Sequence, residues 1–239
     1  MRADAILETR AVTMRFGGVT ALENVDFRLE NDELRCLIGP NGAGKSTFFK
    51  CLTGLLKPSE GSIYLQGEDC TGIHPHAIAR RGVGIKTQVP SVMNTLTAHE
   101  NIWLSARQAQ SSCEANRTTE EVLERLELQD IATDEVATLA HGKRQLVELG
   151  IVMAGRPALV LLDEPAAGLT GEEVERMIEV IHELNRDAAL VIVEHDMHFV
   201  RSIAQTVTVF HQGRVLTEAP VEAVMADPAV RDVYLGKRA

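Results

Sequence analysis

Residues 39–47 read Gly39-Pro40-Asn41-Gly42-Ala43-Gly44-Lys45-Ser46-Thr47, a glycine-rich run closed by a lysine and two hydroxyl residues. This is the pattern of a phosphate-cradling loop. Glycines let the backbone curl so that successive N–H groups point inward, and the helix that follows aims its positive end at the same place. Lys45 is then placed to neutralise β- and γ-phosphates, and Ser46 to hold Mg²⁺. The implied ligand is a nucleoside triphosphate. A second set of reactive groups closes the run Leu159-Val160-Leu161-Leu162-Asp163-Glu164. Four apolar residues suit a buried parallel strand, whose C-terminal end is where ligands meet an open α/β sheet. There Asp163 is expected to hold Mg²⁺ through its water shell and Glu164 to polarise the attacking water, the other reading being the acidic end of an ordinary strand. Another apolar run ends in Glu194-His195-Asp196, which places an imidazole at the same edge, in reach of a γ-phosphate. A histidine metal site is not expected, because His195 and His198 lack a third ligand.

Positioning these groups requires strands that alternate with helices, the pattern of an α/β protein with a largely parallel sheet. Strands are predicted at 6–12, 21–29, 34–38, 62–65 and 83–87, and again at 159–163, 190–194, 206–211 and 214–218. Between about 90 and 156 apolar residues recur at three- and four-residue spacing, predicting helices at 98–107, 120–128 and 142–154. The expected organisation is a nucleotide-binding core, residues 1–89 and 157–239, with a helical lobe at 90–156 inserted into it. The polar stretch 108–119 reads as a mobile loop.

The composition fits a soluble globular protein: 239 residues, 45% apolar and 24% charged. No apolar run approaches the roughly 20 residues that span a bilayer, and the N-terminal residues lack the apolar core of a signal peptide. A cytoplasmic location is expected, with any membrane association made through protein contacts. The net charge of −10 argues against broad binding to nucleic acid. Cys36, Cys51, Cys70 and Cys113 lack a C-x-x-C spacing, so reduced structural thiols are expected.

Taken together, the motifs resemble those of the ATP-binding cassette (ABC) ATPases over essentially the whole chain. The resemblance implies a P-loop core with antiparallel β elements near the N-terminus and an inserted helical subdomain. It makes Phe16, in Met14-Arg15-Phe16-Gly17-Gly18, the aromatic residue that stacks on adenine, the other reading being a core side chain. Gln88 matches the Q-loop glutamine, which senses the γ-phosphate and joins Ser46 and Asp163 around the metal. Leu139-Ala140-His141-Gly142-Lys143 matches the signature loop, residues 166–170 the D-loop, and His195 the H-loop. ATP and Mg²⁺ are the implied ligands.

The match departs from the family pattern at chosen places. Ala140 stands where serine is usual, His141 for the first glycine, Lys143 for glutamine, and Thr170 for the D-loop aspartate. Lys143 at a helix start either is solvated or reaches a phosphate or an acidic partner. Phe16-Gly17-Gly18, the run 164–169, Glu194-His195-Asp196-Met197 and Val233-Tyr234-Leu235-Gly236 resemble the ATPases of branched-chain amino acid importers and of urea and short-amide importers. The run 33–38 and His141 lean towards the urea side. The lipopolysaccharide-export cassette is the alternative within transport, and a non-transport ABC ATPase the alternative outside it. The resemblance implies two cassettes, alike or different, closing head to tail around ATP. It also implies transmembrane permease subunits at the inner face of the membrane and, indirectly, a periplasmic solute-binding protein. On the same resemblance Glu164 is the general base or water-orienting group, His195 and Gln88 sense the γ-phosphate, and Gln88 with the following stretch 89–97, at the groove for the membrane partner, is positioned to move.

Overall fold

A computed structural model describes residues 5–88 and 91–235. Two long strands, β1 (Leu7–Phe16) and β2 (Val19–Leu29), pair as an antiparallel hairpin, and β3 (Leu34–Ile38) then runs fully buried into the glycine-rich loop. Helix α1 (Lys45–Leu52) follows directly. Strands β4 (Glu60–Leu65) and β5 (Glu68–Asp69) return to the hairpin, giving an antiparallel sheet of order β2-β1-β4-β5. After α2 (Pro75–Arg80) comes β6 (Val83–Lys86), then α3 (Ala98–Ala106), α4 (Ser112–Arg125) and α5 (His141–Ala154). Next are β7 (Leu159–Asp163), α6 (Gly171–Asn185), β8 (Ala189–Val193), α7 (Met197–Ile203), β9 (Thr206–His211), β10 (Arg214–Pro220), α8 (Val221–Ala226) and α9 (Pro228–Leu235). The second sheet has the order β10-β9-β3-β8-β7-β6 and is parallel except for β10.

Side chains alternate between the two faces of a strand, so the central sheet serves two cores. One face carries Ile38, Val160, Leu162, Leu190 and Ile192 towards the helices; the other carries Leu37, Leu161, Val191 and Val193 towards α1 and the antiparallel sheet. Helix α1 is held between the sheets by Phe48 and Phe49, both essentially buried, with the Phe48 ring 5.6 Å from Phe27 and 5.3 Å from Phe210. Removing such a ring costs about 3–5 kcal/mol, so the helix behind the glycine-rich loop is a rigid support. Arg35 is the one charge in the buried β3 run, and it is satisfied by Glu33, Glu218 and the Thr208 hydroxyl.

The polar stretch at 108–119 is not a mobile loop. Helix α4 starts at Ser112, and Ser111 and Glu114 cap it reciprocally. Polar side chains point inward because they find partners: the Thr119 hydroxyl donates to the Ala115 carbonyl, and the Thr118 hydroxyl to Gln110 Oε1. Among the described residues no helix is long and apolar enough to cross a membrane.

Candidate functional site

The glycine-rich loop links β3, near the middle of the sheet, to α1. Its entry, Gly39, has φ +147°, and a methyl group there would lie 2.3 Å from the Phe210 carbonyl oxygen, so β9 approaches too closely for any side chain. Lys45 is 8% exposed, and its Nζ donates to the Gly39 carbonyl at 2.5 Å and to Pro40 at 3.1 Å. Burial lowers the Lys45 pKa, and the charges of Glu164 and Asp163 pull the other way. Asn41, Gly42 and Ser46 are exposed around the loop, Thr47 is half-buried, and Ala43 is buried under the loop with its carbonyl accepting from Gly213 N–H at 2.9 Å.

Strands β7 and β8 adjoin each other, with β3 beyond β8, so their C-terminal ends bring Asp163, Glu164 and His195 to the edge where the loop lies. Asp163 is 7% exposed, and its Oδ1 has no hydrogen-bond partner. Burial, reinforced by the charge of Glu164, pushes the Asp163 pKa up to about 6. An orphaned carboxylate oxygen with this history fits a hard cation or its water shell. Glu164 adopts φ +48°, a costly conformation for a residue with a Cβ, and its N–H donates to the Val193 carbonyl at 2.9 Å. Such strain persists where neighbours fix it, and it concentrates at functional sites. Glu164 Oε1 lies 3.4 Å from His195 Nδ1, and the His195 side chain remains 61% exposed.

Gln88 is exposed just beyond β6; Val89 and Pro90, the first residues of the stretch read as movable, lie outside the described residues, as does Gly236 of the C-terminal run. Phe16 ends β1 46% exposed and belongs to neither core, which removes the alternative of a core side chain. In the signature segment Leu139 packs against the helical core, Ala140 and His141 are exposed, and Gly142 is buried at the start of α5. Lys143 turns towards the segment that follows α4: its Nζ is 3.3 Å from the Glu127 carbonyl and 3.9 Å from Asp130, an acidic partner.

Sequence reasoning assigned no role to Glu194, yet this carboxylate, 1% exposed, accepts N–H bonds from Ala166 at 3.1 Å, His195 at 3.0 Å and Asp196 at 3.4 Å. It therefore ties the D-loop to the H-loop. Nor were Lys86 and Glu148 singled out; the two charges, both 4% exposed, meet at 3.5 Å and join β6 to α5. A strand lysine and a helix glutamate normally read as solvated. The capping box Thr170-x-x-Glu173 was readable as a pattern, but its link to the signature helix was not.

A family model described as "ABC transporter" matches residues 22–167. The chain is 35% identical over 250 residues to the high-affinity branched-chain amino acid transport ATP-binding protein BraF of Pseudomonas aeruginosa, covering 97% of this chain and 98% of that protein. To LivG of Escherichia coli (strain K12), described in the same words, it is 35% identical over 252 residues with the same coverage. The lipopolysaccharide export system ATP-binding protein LptB of Acidithiobacillus ferridurans is 31% identical over 233 residues, covering 97% of each. Among solved structures, a nucleotide-free ATP-binding cassette from an ABC transporter superposes with a TM-score of 0.87 at 26% identity, covering 98% of this chain and 100% of that one. A dimeric post-hydrolysis state of the cassette MJ0796 bound to ADP and Pi superposes with a TM-score of 0.80 at 26% identity, covering 90% of this chain and 98% of that one.

Proposed function

The chain belongs to the ABC transporter family of ATP-binding subunits and is an ATPase, and from that membership we propose that it powers import of branched-chain amino acids. The observation that carries the chemistry is the convergence of Lys45, Asp163, Glu164 and His195 at one edge of the sheet. Identity of 35% to BraF and LivG, against 31% to LptB at similar coverage, supports the solute class.

Phe16 stacks on the adenine ring, and the N–H groups of residues 41–47 hold the phosphates. Lys45 leaves the carbonyls of Gly39 and Pro40 and takes the γ-phosphate as its partner, an exchange of neutral acceptors for a charged one. Mg²⁺, held by Ser46, Asp163 and Gln88, supplies further neutralisation when bound. Glu164 orients and deprotonates water, and His195, steadied at Nδ1 by Glu164, contacts the γ-phosphate. A second cassette, identical or different, closes each site with its signature loop. Permease subunits hold the dimer at the inner face of the membrane, and a periplasmic solute-binding protein delivers solute to them.

The run 33–38 and His141 favour a second reading, import of urea or a short amide. Uptake of labelled leucine and of labelled urea in cells lacking this subunit separates the two. Loss of leucine uptake alone supports the first reading; loss of urea uptake alone replaces it with the second.

A further inference from the structure

Two departures from the family pattern, His141 and Thr170, both take part in the junction between the signature loop and the D-loop. His141 opens α5 where glycine is usual, and its Nε2 lies 3.0 Å from the carbonyl oxygen of Ala167 in the D-loop. A carbonyl only accepts, so Nε2 carries the proton, as the neutral tautomer or the imidazolium. One residue on, the carboxylate of Glu173 packs against the backbone of Gly142. The approach is so close that a methyl group at Gly142 would lie 2.1 Å from Glu173 Oε1. The other oxygen, Oε2, accepts from the Thr170 N–H at 2.8 Å and from its hydroxyl at 3.0 Å. A threonine hydroxyl can donate to that carboxylate; an ionised aspartate at 170 could not. Both contacts join the signature loop to the D-loop and its helix.

We propose that His141 and Glu173 are positioning residues that clasp the signature loop to the D-loop of the same subunit, so that both meet a second cassette as one surface. The proposal rests on the reading that two cassettes close around ATP. The clasp fixes the N-terminus of α5, which faces the partner's nucleotide, against the loop that runs towards the partner's site. Glycine at 141 would leave the Ala167 carbonyl without this donor.

Amide hydrogen exchange of the nucleotide-free full chain, together with steady-state ATP hydrolysis, tests the clasp. His141→Gly is expected to speed exchange in the opposite loop, residues 166–170, and Glu173→Ala in residues 139–143. Each change should be roughly three- to tenfold, the scale of one hydrogen bond lost. For His141→Gly, kcat should fall by a similar factor at unchanged KM for ATP, and His141→Gln, whose amide N–H can donate to Ala167, should restore most of both. Exchange in the opposite loop that matches wild type overturns the clasp. Faster exchange with unchanged kcat overturns the positioning role and leaves a structural contact. A wild-type specific activity that does not rise with chain concentration counts against self-closure around ATP, while the exchange result still decides the clasp.

Discussion

The glycine-rich loop and the signature loop each deliver a helix N-terminus, and the two ends are held differently. At α1 the capping residue, Gly44, has φ +108°, no side chain caps the helix, and its first turn contains no acidic residue. At α5 no capping side chain comes from the helix's own start, but the carboxylate of Glu173 reaches across from α6 to lie against Gly142. A helix N-terminus attracts anions through its free N–H groups and its dipole. The first end is therefore open to a phosphate, and the second already has a carboxylate beside it. The half of the site that one chain completes is ready for ligand, whereas the half offered to a partner is committed to internal contacts.

The largest effect is expected at the open half. Glu164→Gln keeps the shape and removes the charge, so phosphate release should fall about 100-fold or more while ATP binding survives and a closed dimer accumulates. Size-exclusion chromatography with ATP measures the second part. Loss of turnover without a closed dimer would show that the altered signature loop cannot accept the nucleotide of an identical chain.

Asp163 sharpens the contrast through pH. Its pKa is about 6 in the fold, against about 3.9 in an unfolded chain. The folded state binds the proton first, so this group makes the nucleotide-free protein more stable as pH falls from about 7 to about 4, by about 3 kcal/mol at most. Asp163→Asn should carry that gain at every pH: a higher melting temperature than wild type at pH 7.5, and convergence with wild type near pH 4. Equal melting temperatures at pH 7.5 would mean that the carboxylate is not held against its burial.

Phe16→Ala should weaken ATP binding by about 1–3 kcal/mol, the range for a base stacked on an aromatic ring, without slowing turnover at saturation. A binding titration that matches wild type removes Phe16 from the adenine site. The smallest effect belongs to the committed half. Because Lys143 is already engaged with the Glu127 carbonyl and Asp130, Lys143→Ala should change ATP-driven dimerisation by no more than about twofold, and equally in an Ala140→Ser background. A larger loss confined to the Ala140 form would assign Lys143 to the phosphate.

The contrast also marks what the sequence could convey. Strands β3, β7 and β9 were predicted at their observed limits, since unbroken apolar runs between turn residues leave little choice. The phosphate loop, Asp163, Glu164 and His195 were legible because their spacing is fixed by local backbone geometry and by strand ends. The first half of helix α4 was misread because polarity outweighed its cap, while its second half fell within the helix predicted at 120–128. Ser111 and Glu114, three residues apart, were the signal that marked its start. The contacts of Glu194 with Ala166, of Glu173 with Gly142 and of His141 with Ala167 could not be read, because these partners are brought together only by tertiary packing.

The Lys86–Glu148 pair has a consequence for substitution at either site. Each charge is 4% exposed, and Glu148 Oε1 already lacks a partner, so neither group can turn to water if the other is lost. Removing one partner of such a buried pair costs about 3–5 kcal/mol, a large share of the stability of a domain, whereas replacing both by well-packed apolar residues is often neutral. The two positions lie 62 residues apart in sequence. A chain that loses either charge alone gives up that share of its stability, so substitutions at the two sites are energetically coupled and are tolerated best when made together.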